Sequence, residues 1–223
     1  AHLCLFSYCA VRVPGRNIRP MISIGSTLVE VKLGQLRPTQ MTVGFGEVER
    51  KRRSWAKLGA HARREAMRQA LFPAVRGPDK TFYILDHHHT AVALLREKSD
   101  SVQVGVVKDL CALKPRDFWI FLDHCSWVHP YDANGERRPF KDMPKSFEDL
   151  ADDPYRSLAG DVRDAGGFAK SDAPFLDFLW ANHLRASIPR KKLERAPKQA
   201  LADGLALARS KKSAYLPGWP GKS

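Results

Sequence analysis

Apolar and polar positions in the first half of the chain follow the periods of short strands and helices. Residues 27–33 and 102–107 alternate in part between apolar and polar side chains, a pattern typical of half-buried strands. Residues 80–85 combine aromatic and β-branched side chains and predict a further strand. Periodicity and charge order indicate helices over about 47–52 and 63–71. This order of elements predicts a compact α/β unit.

The second half of the chain has the spacing of helices. Residues 116–122 form an amphipathic pattern, and Asp153 followed by Pro154 is typical of an N-cap and the first helical position. A further helix is predicted over residues 173–186. Another is predicted over 197–209, followed by an end rich in proline and glycine that we expect to be mobile.

These patterns divide the chain into four parts. We predict an α/β fold of the α+β type, with a helical subdomain after the sheet. The expected boundaries are an N-terminal extension over 1–23, the α/β domain over 24–112, the helical subdomain over 113–188 and a basic tail over 189–223.

The net positive charge of the chain indicates which class of partner it binds. The formal net charge is +13 and the sequence pI is about 9.8, which favours polyanions such as nucleic acid or nucleotides. Residues 186–223 carry nine Lys or Arg against two acids. This segment is either a solvated helix or a contact surface for nucleic-acid phosphates.

The sequence gives weaker indications about compartment and assembly. No window is apolar over the length that a membrane span needs, and the apolar opening precedes its arginines, the reverse of a signal peptide. Four cysteines at positions 4, 9, 111 and 125 form no CxxC pair, so we expect reduced, structural thiols. A cytoplasmic protein is expected. The oligomeric state is not indicated.

The segment Asp86–Thr90 joins the predicted strand at 80–85 to a helix and holds three consecutive histidines. Backbone N–H groups and the positive end of the helix dipole converge at such a place, which favours a bound anion, above all phosphate. Three adjacent imidazoles cannot all reach one metal ion. Two of them with a distant carboxylate remain an alternative, as does a purely structural run; no dedicated metal site is predicted.

Glu47 and Glu49, near a helix start, are both candidates for a general base. The two residues lie about 200° apart on a helix, so only one can face the histidine loop. Both carboxylates would also stabilise their own helix. Arg156 is a candidate bidentate phosphate clamp, or else the partner of Asp152 or Asp153.

Trp127, His129, Tyr131 and Asp132 belong to an aromatic, polar loop. Such a loop can line a pocket or stack on a nucleic-acid base. The alternative is burial in the core, which is the more frequent environment of aromatic side chains.

Four motifs, read in order, resemble the putative ParB-like nuclease family of the ParB/sulfiredoxin superfamily. The resemblance covers roughly residues 27–185, and its combination of motifs is specific, although each one alone is weak. The motifs are Leu36–Gln40, Gly44–Val48, Leu85–His89 and Asp152–Ala159.

The resemblance implies a small mixed sheet with helices, in which the loop between strand and helix binds phosphate. Within 86–90 there is no cysteine, which excludes sulfiredoxin chemistry. The pattern of related free-serine kinases matches at Asp86, His88 and His89, with Glu47 at the position of their base. His87 replaces a glycine of that pattern and Thr90 an arginine.

The resemblance and the residue chemistry together assign three sets of site residues. Glu47, His88 and His89 are the expected catalytic residues. The expected phosphate ligands are Arg37, Asp86, His87, His88, His89, Thr90 and Arg156. The expected pocket wall consists of Gln40, Trp127, His129, Tyr131 and Asp132.

Three functions follow from these assignments. The first is a nuclease that hydrolyses DNA phosphodiesters. The second is a kinase of a small alcohol that uses ATP or ADP, with Mg²⁺ held by Asp86 and phosphate oxygens. The third is a DNA-binding module without catalysis.

Overall fold

The computed structural model describes residues 27–221. The predicted extension over 1–23 lies outside the described residues, as do Cys4 and Cys9. Cys111 and Cys125 are both free and half-buried thiols. Within the described range, no helix is both long and apolar enough to span a bilayer.

Within residues 27–221, seven strands form two sheets. The larger sheet is mixed, in the order β1-β6-β4-β5-β2: β1 and β6 are antiparallel, as are β4 and β5, whereas β6 and β4, and β5 and β2, are parallel. The smaller sheet pairs β3 with β7 in parallel. The strands are β1 (Thr27–Lys32), β2 (Leu36–Arg37), β3 (Thr42–Val43), β4 (Leu71–Arg76), β5 (Phe82–Ile84), β6 (Ser101–Asp109) and β7 (Ala151–Asp152).

Eight α-helices lie between residues 27 and 221, three of them interleaved with the strands of the larger sheet. The others follow β6, and α5 to α8 form the helical half of the molecule. The helices are α1 (Phe45–Ala56), α2 (Ala60–Arg68), α3 (His88–Arg96), α4 (Pro115–His124), α5 (Pro154–Asp164), α6 (Leu176–Ser187), α7 (Arg190–Arg195) and α8 (Pro197–Ala208). The predicted mixed α/β class is confirmed.

The two larger hydrophobic cores within the described residues lie in the sheet half and in the helical half. Phe72 and Val104 of the sheet pack with Leu94 of α3 and with Val48 of α1. The second core lies among α5, α6 and α8 around Trp180, whose ring stacks on Phe168 at 4.2 Å. Gly44 and Gly46 bring the start of α1 so close to α5 that an added Cβ would meet Ser157 within 3 Å. The first turn of α1 therefore lies between the sheet core and the helical half.

Tertiary contacts shift two predicted helix boundaries. The predicted helix over 63–71 ends at Arg68, and Leu71 already begins β4 because Phe72, Ala74 and Val75 are needed in the sheet core. The helix predicted from residue 173 begins at Leu176, because Phe175 takes a left-handed conformation with φ 55°.

The C-terminal end packs against the helical half, so the prediction of a mobile end is wrong for residues up to 221. The indole N–H of Trp180 donates to the carbonyl oxygen of Pro217 at 3.0 Å. Leu216 is buried and Trp219 packs on the same core. Apolar residues between the prolines and glycines provide this anchorage, which the composition of the segment conceals.

Candidate active site

A left-handed residue starts α3. His87, the N-cap, has φ 67° and ψ 23°, and its N–H donates to Oδ1 of Asp86 at 2.6 Å. An L-residue in this conformation costs about 1–2 kcal/mol, which explains why the related motif carries glycine there. The turn reverses the chain after β5 and directs the first N–H groups of α3 to one side.

The imidazoles of His88 and His89 hold the preceding segment rather than projecting outward. Nε2 of His88 accepts from the N–H of Thr39 at 3.0 Å, and Nε2 of His89 accepts from the N–H of Gly44 at 2.9 Å. An accepting Nε2 requires a neutral ring with its proton on Nδ1. Burial lowers the pKa of both histidines well below the ordinary value, and the charge of Arg156 lowers them further.

The first N–H groups of α3 have no acceptor in the part of the chain that the structure describes. Within residues 27–221, neither a side chain nor a backbone oxygen accepts from the N–H of His88, His89 or Thr90. Successive free N–H groups beside a left-handed residue form a concave anion site, and the helix dipole adds to its positive potential. Donors arranged in this way can bind an anion such as phosphate.

The start of α1, close by, is fully bonded. The N–H of Phe45 donates to Oδ1 of Asp152 at 2.7 Å, and the N–H of Gly46 donates to Oγ of Ser157 at 3.0 Å. Together with the Gly44–His89 bond, these contacts saturate the first amides of α1. This helix start therefore has a structural use.

Glu47, in the first turn of α1, is brought to the histidine loop. Its Oε2 lies 3.5 Å from Nε2 of His89, and its side chain is 24% exposed. Burial raises the pKa of Glu47, and Asp177 raises it further; the charges of Arg156, Arg163 and Arg50 oppose this shift.

Glu49 lies elsewhere. Its carboxylate accepts from Arg96 at 2.6 Å and from Arg52 at 3.0 Å, and these bonds lower its pKa. The helix geometry alone left the choice between the two glutamates open. In the structure it is Glu47 that reaches the loop.

Arg156 is a buried cation behind the site. Its Nη1 donates to Oε1 of Gln40 at 3.0 Å and to the carbonyl oxygen of Thr42 at 2.9 Å, and its guanidinium lies 3.7 Å from the ring centroid of Phe178. Burial lowers its pKa, whereas the carboxylates of Asp177 and Glu47 support the charge.

Asp153, one of the alternative partners of Arg156, is occupied by another arginine. Its Oδ2 accepts from Nη2 of Arg185 at 2.5 Å, and its Oδ1 accepts from the N–H of Tyr155. Asp152 caps α1, as described above. Neither carboxylate therefore bonds to Arg156.

The predicted pocket wall divides into two groups. The ring of His129 stacks on Phe178 with centroids 3.6 Å apart, and the backbone N–H of His129 donates to the carbonyl oxygen of Thr39. Burial lowers the pKa of His129 to about 3. Tyr131 lies against His129 at 4.5 Å. Gln40 and His129 thus support Arg156 and its surroundings.

Other predicted residues have different environments. Trp127 meets Phe121 edge-on in the core beside α4. Oδ1 of Asp132 accepts N–H groups of its own turn, and the residue lines a pocket of about 340 Å³ with Thr42 and Lys145.

Arg37 makes only long contacts with the carbonyl oxygens of Gly34 and Leu36, at 3.5 and 3.4 Å. It lines a separate pocket with Lys80 and Glu30. Thr90 has its side chain buried in α3, while its N–H lies in the open first turn.

Sequence reasoning missed an ion pair beside Glu47. Arg163 donates to both oxygens of Asp177 at 2.7 and 2.8 Å. Arg163 lies seven residues after Arg156, two turns along the same face of α5, and this spacing is a usable signal. The partner Asp177 comes from α6, and nothing local in the sequence marks it.

Metal ligands are sparse. No group of three His, Cys, Asp or Glu side chains within the described residues is arranged to hold a metal ion. Asp86 is an exposed carboxylate beside the open N–H groups. A magnesium ion there would depend on phosphate oxygens and water for its remaining ligands.

Comparison with protein families identifies the family of the chain. The family model described as "Putative ParB-like nuclease" matches residues 29–186, which include the loop, Glu47 and Arg156. The chain therefore belongs to this family, and the sequence-based identification is confirmed.

A solved structure has a similar fold. The crystal structure of protein Atu1540 from Agrobacterium tumefaciens has a TM-score of 0.82 and 41% sequence identity. The match covers 88% of this chain and 100% of that chain. A comparison with curated proteins gives no match.

Proposed function

We propose that the chain binds one phosphate group at the first turn of α3 and hydrolyses a phosphodiester of nucleic acid, with Glu47 as the general base. The observation that carries the proposal is the trio of unbonded N–H groups at His88, His89 and Thr90 beside Glu47. Backbone donors fixed in this way stabilise negative charge that develops on phosphoryl oxygens.

The chemical step needs a base that is ionised yet sufficiently strong. A pKa raised by burial increases the basicity of Glu47, and the surrounding arginines keep the carboxylate form accessible. Glu47 takes a proton from water while the water oxygen bonds to phosphorus. The P–O bond of the ester breaks, and the departing oxygen takes a proton from solvent.

His88 and His89, which were predicted from the sequence to be catalytic residues, have a positioning role in this proposal. As neutral rings that accept backbone N–H bonds, they position the segment 39–44 against α3, and this segment leads directly into the turn of α1 that carries Glu47. Mg²⁺ beside Asp86, when bound, would neutralise phosphate charge.

A second candidate is phosphoryl transfer from ATP or ADP to a small alcohol. It is favoured by the shelter of Glu47, whose side chain is only 24% exposed, because transfer to an alcohol requires that water be kept out. The same base would then take the proton of the alcohol instead of that of water.

One set of assays separates these functions. Purified protein with magnesium is incubated with ATP, with ADP plus small alcohols, and with plasmid DNA. Phosphorus NMR follows the nucleotides, and gels follow the DNA. We expect nicked DNA with intact nucleotide; nucleotide consumption that depends on an alcohol, without DNA damage, would support the second candidate and contradict the first.

Glu47→Gln tests the base. We expect a loss of about 10²–10⁴-fold in hydrolysis rate. Glu49→Gln, the same chemical change two residues away, should leave the rate within about threefold, because Glu49 bonds to Arg52 and Arg96 outside the loop. Equal rates in Glu47→Gln and the unmodified chain would refute the assignment.

A further inference from the structure

Three arginines of α1 and α2 pair with carboxylates. Arg50 pairs with Asp161 of α5, while Arg52 and Arg63 both pair with Glu97, just beyond α3. These arginines fasten the two helices to the rest of the molecule. Their charges are largely compensated.

A second group has no such compensation. Arg53 and Lys57 at the end of α1, and Arg64 and Arg68 on α2, are exposed, and no carboxylate within residues 27–221 pairs with them. Each pair has four-residue spacing, and like charges at this spacing destabilise a helix. We call these four residues the basic hairpin. Their uncompensated charge favours the binding of an anionic partner.

We propose that the basic hairpin binds the phosphate backbone of a nucleic acid whose scissile phosphate occupies the first turn of α3. This inference rests on the proposed function and names a contact surface for its substrate. Side chains of this kind recognise backbone phosphates and carry little sequence information.

Helix α1 runs from the candidate site towards the basic hairpin. Glu47 lies in the first turn of α1, whereas Arg53 and Lys57 lie six and ten residues further on. At about 1.5 Å per residue, these cations are roughly 9 and 15 Å from Glu47 along the helix axis. A duplex rises about 3.4 Å per base pair, so roughly three to five nucleotides connect the site to the hairpin. The substrate must therefore exceed a dinucleotide to gain the extra contacts.

The C-terminal helices carry a second set of exposed cations, including Lys191, Arg195 and Lys198. We favour the hairpin because α1 itself begins at the site, whereas α8 packs on α5 through Gly204 and Val162. The tail residues thus serve as a control of equal charge.

The test compares two fourfold variants by fluorescence anisotropy on a labelled 12-nucleotide DNA from 50 to 300 mM salt. One variant is Arg53→Gln, Lys57→Gln, Arg64→Gln and Arg68→Gln; the control is Lys191→Gln, Arg195→Gln, Lys198→Gln and Arg209→Gln. We expect the hairpin variant to lower the slope of log affinity against log salt by about three. The control should change it by less than about one, and circular dichroism verifies both folds.

Hydrolysis of bis(4-nitrophenyl) phosphate reports on the site alone. The hairpin variant should keep this activity while it loses the preference for the 12-mer over a dinucleotide. An unchanged salt slope, or an equal loss in the control, overturns the hairpin inference. So does binding of anionic lipid vesicles by the hairpin without measurable DNA affinity. If the unmodified chain hydrolyses neither substrate, the proposed function fails. The slopes of log affinity against log salt then still test the hairpin inference.

Discussion

Two helix N-termini meet at the candidate site, and they differ in what occupies their first N–H groups. In α1, the side chains of Asp152 and Ser157 and the imidazole of His89 accept from the first amides. In α3, no acceptor within the described residues reaches the N–H groups of His88, His89 and Thr90. The same backbone chemistry is thus used for structure in one helix and left open in the other.

The difference arises from the neighbours of each helix. The start of α1 faces the beginning of α5, which supplies oxygen acceptors. The start of α3 faces the segment 39–44, which supplies N–H donors and engages the imidazole nitrogens instead. A helix dipole alone does not define a ligand site; the absence of protein acceptors near it does.

Removal of Arg156 should have the largest effect, because this buried cation lies behind both helix starts. Arg156→Gln loses the bonds to Gln40 and Thr42 and leaves Glu47 and Asp177 with less compensation. We expect a loss of about 3 kcal/mol in the free energy of unfolding, measured by urea denaturation. Arg137→Gln, which breaks an exposed pair with Asp123, should cost below about 1 kcal/mol. Similar losses in both variants would contradict the role of Arg156.

Low pH should reduce the stability that three buried, neutral histidines contribute. The folded pKa values of His88, His89 and His129 lie below the unfolded value of about 6.5, so the unfolded chain binds protons first. Their stabilisation is complete above about pH 6.5 and decreases as the pH falls, by at most about 1.4 kcal/mol per unit and residue. The raised pKa of Glu47 acts in the opposite direction.

Urea denaturation between pH 7.5 and 5 measures this dependence. His129→Phe keeps an aromatic ring on Phe178 and removes one titrating group. The slope below pH 6.5 should therefore decrease by up to about 1.4 kcal/mol per pH unit. An identical slope in the variant would contradict the neutral, buried state of His129.

An added side chain at Gly44 should disturb the contact between the bonded start of α1 and α5. Gly44→Ala places a Cβ within 2.7 Å of the backbone nitrogen of Ser157, so α1 must move away from α5. We expect a loss of about 1–3 kcal/mol. Gly59→Ala is the matched control, since Gly59 is the N-cap of α2 and has no heavy atom within 4 Å of the added Cβ. Equal losses would show that N-cap preference, not packing, dominates.

The smallest effect concerns one hydrogen bond. Asp152→Ala removes the acceptor of the Phe45 N–H and should cost about 1 kcal/mol. Asp152→Asn retains an acceptor oxygen and should cost less. Phosphate affinity should be unchanged in both variants. A loss of affinity in Asp152→Asn alone would mean that the charge, rather than the cap, matters at the site.

Local patterns predicted much of the fold because strands such as β6 and helices such as α4 carry their period in their own residues. Asp153 and Pro154 marked the start of α5 by cap chemistry alone. Boundaries set by distant contacts were missed: Leu71 joins β4, and Phe175 delays α6 by a left-handed turn. Apolar residues also anchor an end whose composition predicted mobility.

The site residues that belong to sequence motifs could be predicted. The loop 86–90 and Glu47 were identified from motifs, and the structure brings them into contact. The neutral state of His88 and His89 was not predictable, because it depends on donors from Thr39 and Gly44, some 45 to 49 residues earlier. Asp177 enters from α6, and long-range approach of this kind leaves no local pattern.

Amide chemical-shift mapping tests the central claim most directly. The ¹⁵N-labelled chain is titrated with inorganic phosphate and then with a dinucleotide, with sodium chloride as the control for ionic strength. The account predicts saturable shifts of the His88, His89 and Thr90 amides, while those of Phe45 and Gly46 remain in place. Shifts confined to α1, or no saturable shift at α3, would contradict the assignment of the open helix start as the phosphate site.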